Sequence, residues 1–320
     1  MHVARAGLAM AFALGLLVRA EGVTREPRGA GEIGLDAFVT HGESEWEIVF
    51  VDDGYNFGRS NLKWRDLDGE LYGFHAAANL GAWLTLAGAY ASGDLDGGPG
   101  TDSDLLTSAY YGFDQFLFSE SKSDVSGDVE LYHLDLRLHL DALPQLTDWP
   151  ARLYLLLGYQ RYDEDLRMRQ GVQTVINEEP VSEPIENLNS TFDFEWNAYR
   201  VGIGGVFSLT DELAFQLQAV AMVGVEFDGA GYWNLRSDLQ ATPPSFYNEG
   251  DGGGGADLRA SLAWRPHPAV RLEAGFWQIT MDIKDGRQRV YLADGTRIEQ
   301  PVSTAETRRT GGFATAAWLF

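Results

Sequence analysis

The decapeptide "YHLDLRLHLD" (132–141) constrains the chain more than any other stretch. Leu134, Leu136, Leu138 and Leu140 fall on one side of an extended backbone, and His133, Asp135, Arg137, His139 and Asp141 on the other. A period of two sustained over ten residues specifies a strand with one greasy and one wet face. Which face meets which medium is decided by the rest of the chain.

Other features favour export and a lipid surround. Arg5 precedes the apolar run "GLAMAFALGLLV" (7–18), and Val18-Arg19-Ala20 offers small residues for cleavage, so residues 1–20 are expected to be a signal peptide. The run is short of the ~20 apolar residues a membrane helix needs. There is no cysteine, hence no disulfide framework. The net charge of −23, from 47 acidic and 24 basic residues, disfavours nucleic acid and favours a cationic peptide or protein as partner. Glycine (37) and aromatics (12%) are plentiful. Residues 21–320 are therefore expected to form a single all-β domain, an antiparallel up-and-down transmembrane β-barrel of the outer membrane of a Gram-negative envelope.

Ten strands are expected, at about 33–50, 58–79, 82–95, 127–141, 150–168, 192–208, 212–227, 254–265, 269–284 and 308–320. Short connections at 79–83, 141–150, 208–213 and 265–270 alternate with long polar ones at 96–126, 169–191, 228–253 and 285–307, expected as extracellular loops. Tyr154, Tyr159, Trp196, Tyr199, Trp264 and Trp277 are candidates for a membrane girdle. The apolar phase of 269–284 shifts between Phe276 and Trp277, which predicts a bulge or the exit from the membrane. The terminal "GGFATAAWLF" resembles the C-terminal strand of bacterial outer-membrane barrels, where a final aromatic is an assembly signal.

"HGESEWEIVF" (41–50), "LKWRDLDGELYGFHAAANLGAWLTLAGAYASG" (62–93), "GYQ" (158–160) and "RPHPAVRLEAGFWQITMDIKDG" (265–286), in this order and spacing, resemble the omptin family of ten-stranded outer-membrane endopeptidases. The resemblance implies an extracellular cleft in which an Asp–Asp pair and an Asp–His couple activate water. Asp102-Ser103-Asp104, in the glycine-rich stretch after the third strand, matches the family's Asp pair. Two close carboxylates cannot both ionise cheaply, so one is expected to hold a proton. Where the family carries Asp-x-His, this chain reads "VGVEFDGAGYWNLRSD" (223–238), with Gly231-Tyr232-Trp233 and no histidine. Asp228 or Asp238 could stand in only as a weaker base.

The family's specificity glutamate matches Glu47, expected deep in the cleft against a basic substrate side chain. Its lipopolysaccharide run, Tyr-x-Glu-x-Arg, keeps its tyrosine as Tyr159 while the charged partners are changed to Arg161 and Asp163; Arg161 would still attract lipid A phosphates, so lipopolysaccharide is the one cofactor-like requirement implied. No metal site or other cofactor motif stands out. The sequence thus points to a monomeric barrel that binds cationic ligands without efficient proteolysis, with an active endopeptidase cleaving beside basic residues as the alternative. A pore is disfavoured, because Asp135, Arg137 and Lys63 would tend to plug a ten-stranded lumen.

Overall fold

In a computed structural model, residues 30–52, 55–107, 115–140 and 151–320 are described. The expected signal peptide with its expected cleavage site, and the 141–150 connection, lie outside them. Ten antiparallel strands follow in chain order: β1 (Gly31–Asp52), β2 (Tyr55–Leu80), β3 (Leu84–Thr107), β4 (Gln115–His139), β5 (Ala151–Ile176), β6 (Glu179–Ser208), β7 (Leu213–Tyr232), β8 (Phe246–His267), β9 (Val270–Tyr291) and β10 (Arg297–Leu319). Each pairs with its sequence neighbours, and β1 pairs with β10 to close the ring. The terminal phenylalanine takes part in closure, since the Phe320 and Gly31 backbones exchange hydrogen bonds of 2.9 and 3.0 Å.

The strands are longer than their sequence signals. Three of the four expected polar loops are mostly paired strand. β3 and β4 stay paired, through register shifts, up to Thr107↔Gln115, β5 and β6 likewise up to Ile176↔Glu179, and β9 and β10 without a shift up to Tyr291↔Arg297. Asn177 and Glu178 make the tight β5–β6 turn, with φ of 52° and 65°. A crossing strand needs only about 9–11 residues, whereas β6 has 30. Most of the cylinder therefore stands above the bilayer.

Two media explain why polar sequence is strand there. In the turn-proximal third the outward side chains are apolar and exposed, including Ile33, Leu35, Phe74, Leu134, Leu136, Leu138, Leu157 and Val201. Tyr72, Tyr132, Tyr159 and Tyr199 rim this belt on one side, and Trp83, Trp264, Trp318 and Phe320 on the other. Behind it the lumen is polar, with Asp36, His75, His133, Arg137 and Glu273. Above the belt the arrangement inverts. The lumen holds Trp46, Leu62, Trp64, Phe192, Phe194, Trp196, Phe227, Trp277, Ile279, Met281 and Ile283, all buried, while the outer wall is polar. A large apolar side chain removed from water contributes about 1.5–3 kcal/mol, so the tall section has a dry core of its own.

The Phe276/Trp277 phase change is this inversion. β9 pairs without a register break across it on both sides, so it marks the membrane exit and not a bulge. Period-two parity also moves three girdle candidates into the lumen. Trp196 and Trp277 are core, and Tyr154 lines a luminal cavity and bonds Gln218 at 3.1 Å. Lys63 is on the outer wall, 2.9 Å from Glu45.

Two buried ionic clusters cross the lumen. Arg200 donates to Asp135 (2.9 Å), Asp257 (2.8 Å) and Gln160. Arg309 donates to Tyr162 (2.9 Å), Glu164 (2.6 Å) and the Leu67 carbonyl (3.2 Å), and Ser44 donates to Glu164 (2.6 Å). Both arginines are wholly buried.

Candidate functional site at the barrel mouth

Asp102 and Asp104 lie on strand β3, not on a loop as the glycine-rich sequence suggests. What aims them is a pair of adjacent bulges. Below the bulge, odd-numbered residues of β3 such as Ala87, Ala91 and Leu95 face the lumen. The β3–β4 register shifts between Asp96 and Pro99, where Gly97 and Gly98 adopt φ of 77° and 88°, and β2 breaks beside it at Asp66, with φ of 55°. A Cβ on Gly98 would stand 2.0 Å from the Arg65 carbonyl oxygen, so the close approach requires glycine. One extra residue swaps the parity. Gly100, Asp102 and Asp104 then face inward, and Gly100 packs under Ser123, Val125 and Trp64.

The pair sits at the upper edge of the aromatic core. Asp102 is opposite Leu62 and Ser121, and Asp104 opposite Ser60 and Ser119. Ser60 Oγ donates to Asp102 Oδ1 at 3.4 Å. Burial pushes the Asp102 carboxyl up to about 7, the Asp104 charge adds to the rise, and Ser60 and Arg236 oppose it. Burial likewise raises Asp104, against Ser60 and Arg236.

Arg236 belongs to the β7–β8 connection, 233–245, which has no strand of its own. Asn234 ties this segment to β6, accepting from the Asn189 backbone (2.9 Å) and donating to the Asn187 carbonyl (2.7 Å). Leu239 bridges to Leu292, and the Ala293 backbone donates to Asp238 (2.9 Å), tying it to the β9–β10 hairpin. Trp233 turns inward onto Phe246, ring centroids 4.7 Å apart, and faces Phe192 at 6.3 Å. A Cβ on Gly231 would meet the Phe246 ring at 1.9 Å, so Gly231 has no room for a side chain as the Phe246 ring stands.

The described histidines lie elsewhere. His41 is on the outer wall against Asp68 (2.9 Å), His75 bonds Asp36 (2.9 Å) and His139 bonds Thr85 (2.7 Å) in the turn-proximal lumen, and His267 sits at a turn. Asp238 is gripped twice by Arg236, at 2.8 and 2.6 Å, which holds its carboxyl below the usual range and removes it as a base. Asp228 accepts from the Tyr247 hydroxyl.

Glu47 is not deep in the cleft. It alternates with luminal Trp46 and Ile48 and so occupies the outer wall, where Ser303 donates to it at 2.6 Å and Arg59 lies 3.7 Å away. Tyr159 and Arg161 do come together outside, at the top of the apolar belt. Tyr159 donates to Asn197 (2.5 Å), and Arg161 pairs with Asp163 (2.8 Å) and Glu195 (2.9 Å). Above them Asp128, Asp165 and Asp193 are aligned across three strands, and burial with the Asp165 charge pushes Asp193 up to about 6. Sequence reasoning missed Arg236; the Arg236-Ser237-Asp238 spacing, which allows a local fork, was the available signal.

A family model described as Pom, Protochlamydia outer membrane protein, matches residues 41–308. The crystal structure of outer membrane protease OmpT from Escherichia coli superposes with a TM-score of 0.74 at 14% identity, over 94% of this chain and 100% of that one. The translocator domain of autotransporter NalP from Neisseria meningitidis follows at 0.37 and 11%, over 100% and 98%. The Ralstonia pickettii toluene transporter TbuX gives 0.35 and 9%, over 92% and 90%. No curated protein sequence matches. At these identities the OmpT likeness establishes the ten-stranded outer-membrane barrel fold and nothing about chemistry.

Proposed function

We propose that this chain, which belongs to the Protochlamydia outer membrane protein family, is an outer-membrane barrel whose mouth binds cationic side chains of peptides or proteins at Asp102 and Asp104 without efficient proteolysis. One observation carries the reading: the bulges aim the acid pair into the mouth, where burial raises both carboxyls and the field of the chain's own Arg236, itself forked onto Asp238, opposes that rise. A guanidinium or ammonium from outside can replace Arg236 in the same field. With Trp233 seated on Phe192 and Phe246, the opposite wall offers an aromatic surface to the rest of the ligand.

Tyr159 and Arg161, at the level of the outer-leaflet headgroups, are assigned to lipopolysaccharide contact. Two carboxylates already engage Arg161, so that contact is weak unless cations bridge it. One chain closes the ring through β1 and β10, so no second copy is needed to complete the barrel.

A labelled arginine-rich peptide added to the barrel in lipopolysaccharide-containing bilayers should bind in a salt-sensitive manner and remain intact by mass spectrometry. Absence of binding sinks the proposal. The second reading, an active endopeptidase, rests on the Asp102 carboxyl near 7, a base matched to neutral pH. Cleavage that disappears in Asp102→Asn would replace the first reading with the second.

A further inference from the structure

A cavity of about 120 Å³ lies in the lumen on the side of the short turns, far below the mouth. Phe38, Leu131 and Phe313 are part of its apolar lining, and the Arg200 cluster adjoins it, Asp135 standing between the lining residues His133 and Arg137 on β4, 3.7 Å from His133. Five side-chain nitrogens on its walls are shielded from water and hydrogen-bonded to nothing: Nε of Arg137, Arg259 and Arg271, Nε2 of His75, and Nδ1 of His133. No lining side-chain oxygen is left in that state among the described residues. For the three arginine nitrogens the imbalance has one sign, because they can only donate, and an imidazole nitrogen can donate beside them.

The carboxylates of the cavity are already engaged on one wall. Asp36 accepts from Thr315 (2.6 Å) and bonds His75 (2.9 Å). Glu32 takes Arg271 at 3.0 Å, and Glu273 takes Ser261 at 2.6 Å together with Arg271. Across the cavity, Arg137 and Arg259 have no carboxylate within hydrogen-bond distance among the described residues. Arg137 lies over the Tyr154 ring, 5.3 Å from its centroid. Arg259 reaches Asp257 only at 3.7 Å, and Asp257 already serves Arg200 (2.8 Å) and Trp277 (3.1 Å). Arg137 and Arg259 are half-buried, and their shielded Nε–H groups, left without an acceptor, carry a cost that an anion between them relieves. His133, 7% exposed, directs its unbonded nitrogen into the same space.

We propose that this chamber is a binding site for one free tetrahedral oxyanion, of the size of inorganic phosphate or sulfate, held by Arg137, Arg259 and His133 and entering from the periplasmic side. The volume matches the ion: at ~30 Å³ per water it has room for about four waters, too little for a lipid headgroup with its chains. The forked guanidinium suits tetrahedral oxygens, as a lysine would not.

The test is calorimetric titration of the full barrel, folded in phosphate-free detergent without lipopolysaccharide, with inorganic phosphate. The expected result is one saturable site per barrel, competed by sulfate and not by chloride. Affinity should fall at least tenfold in Arg137→Gln and in Arg259→Gln, and be unchanged in Asp102→Asn. No saturable site, or a site indifferent to both Gln variants, overturns the proposal. Should those variants fail to fold, wild type decides: phosphate must raise its thermal midpoint in proportion to the logarithm of concentration, and an effect equalled by chloride refutes it.

Discussion

The sharpest consequence of the mouth geometry is a pH dependence of cation binding. The Asp102 carboxyl titrates at about 7 because it is buried beside Asp104. A cationic ligand prefers the ionised pair, so binding strengthens as pH rises through that value and is flat above it. If the ligand requires Asp102 ionised, apparent affinity drops about tenfold per unit below the midpoint, roughly a hundredfold from about pH 8 to pH 5. Asp104→Asn removes the neighbouring charge, the second contributor to the rise, so the inflection should move to lower pH even though one acid is lost. Fluorescence anisotropy of a labelled arginine peptide, at about 0.15 M salt where the Debye length is ~8 Å, reads both quantities. A flat profile over this range, or an inflection that stays put in Asp104→Asn, would show that the pair does not hold the ligand.

Three further outcomes are expected. Arg236→Gln frees the acid field of its internal cation, so peptide binding should tighten by several-fold and Asp102 should titrate higher; weaker binding would make Arg236 part of the ligand site. Glu164→Gln leaves Arg309 buried without its counter-charge, a loss of about 3–5 kcal/mol, and a lower thermal midpoint in detergent checks it. Gly231→Ala drives a methyl into the Phe246 ring, an overpacking cost of about 1–3 kcal/mol that should disturb Trp233 and be visible in near-ultraviolet circular dichroism.

The barrel was legible in the sequence because alternation such as Leu134–Leu136–Leu138 is a direct imprint of lipid on one wall. The height of the cylinder was not, because above the membrane the outer wall meets water and the sequence of β6 from Glu179 onward looks like a polar loop. The acid pair was recognisable as Asp-x-Asp, and its inward aim was not. That aim depends on bulges at Asp66 and Gly97–Gly98, and a single residue of slippage reverses every side chain beyond them. The same parity sends Glu47 outward and Trp196 and Trp277 inward. Arg236 reaches the site through tertiary anchoring of the 233–245 segment to β6 and to the β9–β10 hairpin, a long-range arrangement that local spacing does not encode.

At the centre of the account is the inversion of the barrel at the membrane surface, and the absence of native cysteine allows a direct measurement. Single cysteines can be placed along β9 from Ala274 to Ile283 and exposed, in proteoliposomes, to a water-soluble maleimide. Positions 278, 280 and 282 should label, while 274 and 276 stay protected by lipid and 279, 281 and 283 by the dry core. Protection of 278, 280 and 282 together with 274 and 276 would mean that the bilayer continues past Phe276, and labelling of 279, 281 and 283 would mean that the upper lumen is wet; either result contradicts the inversion.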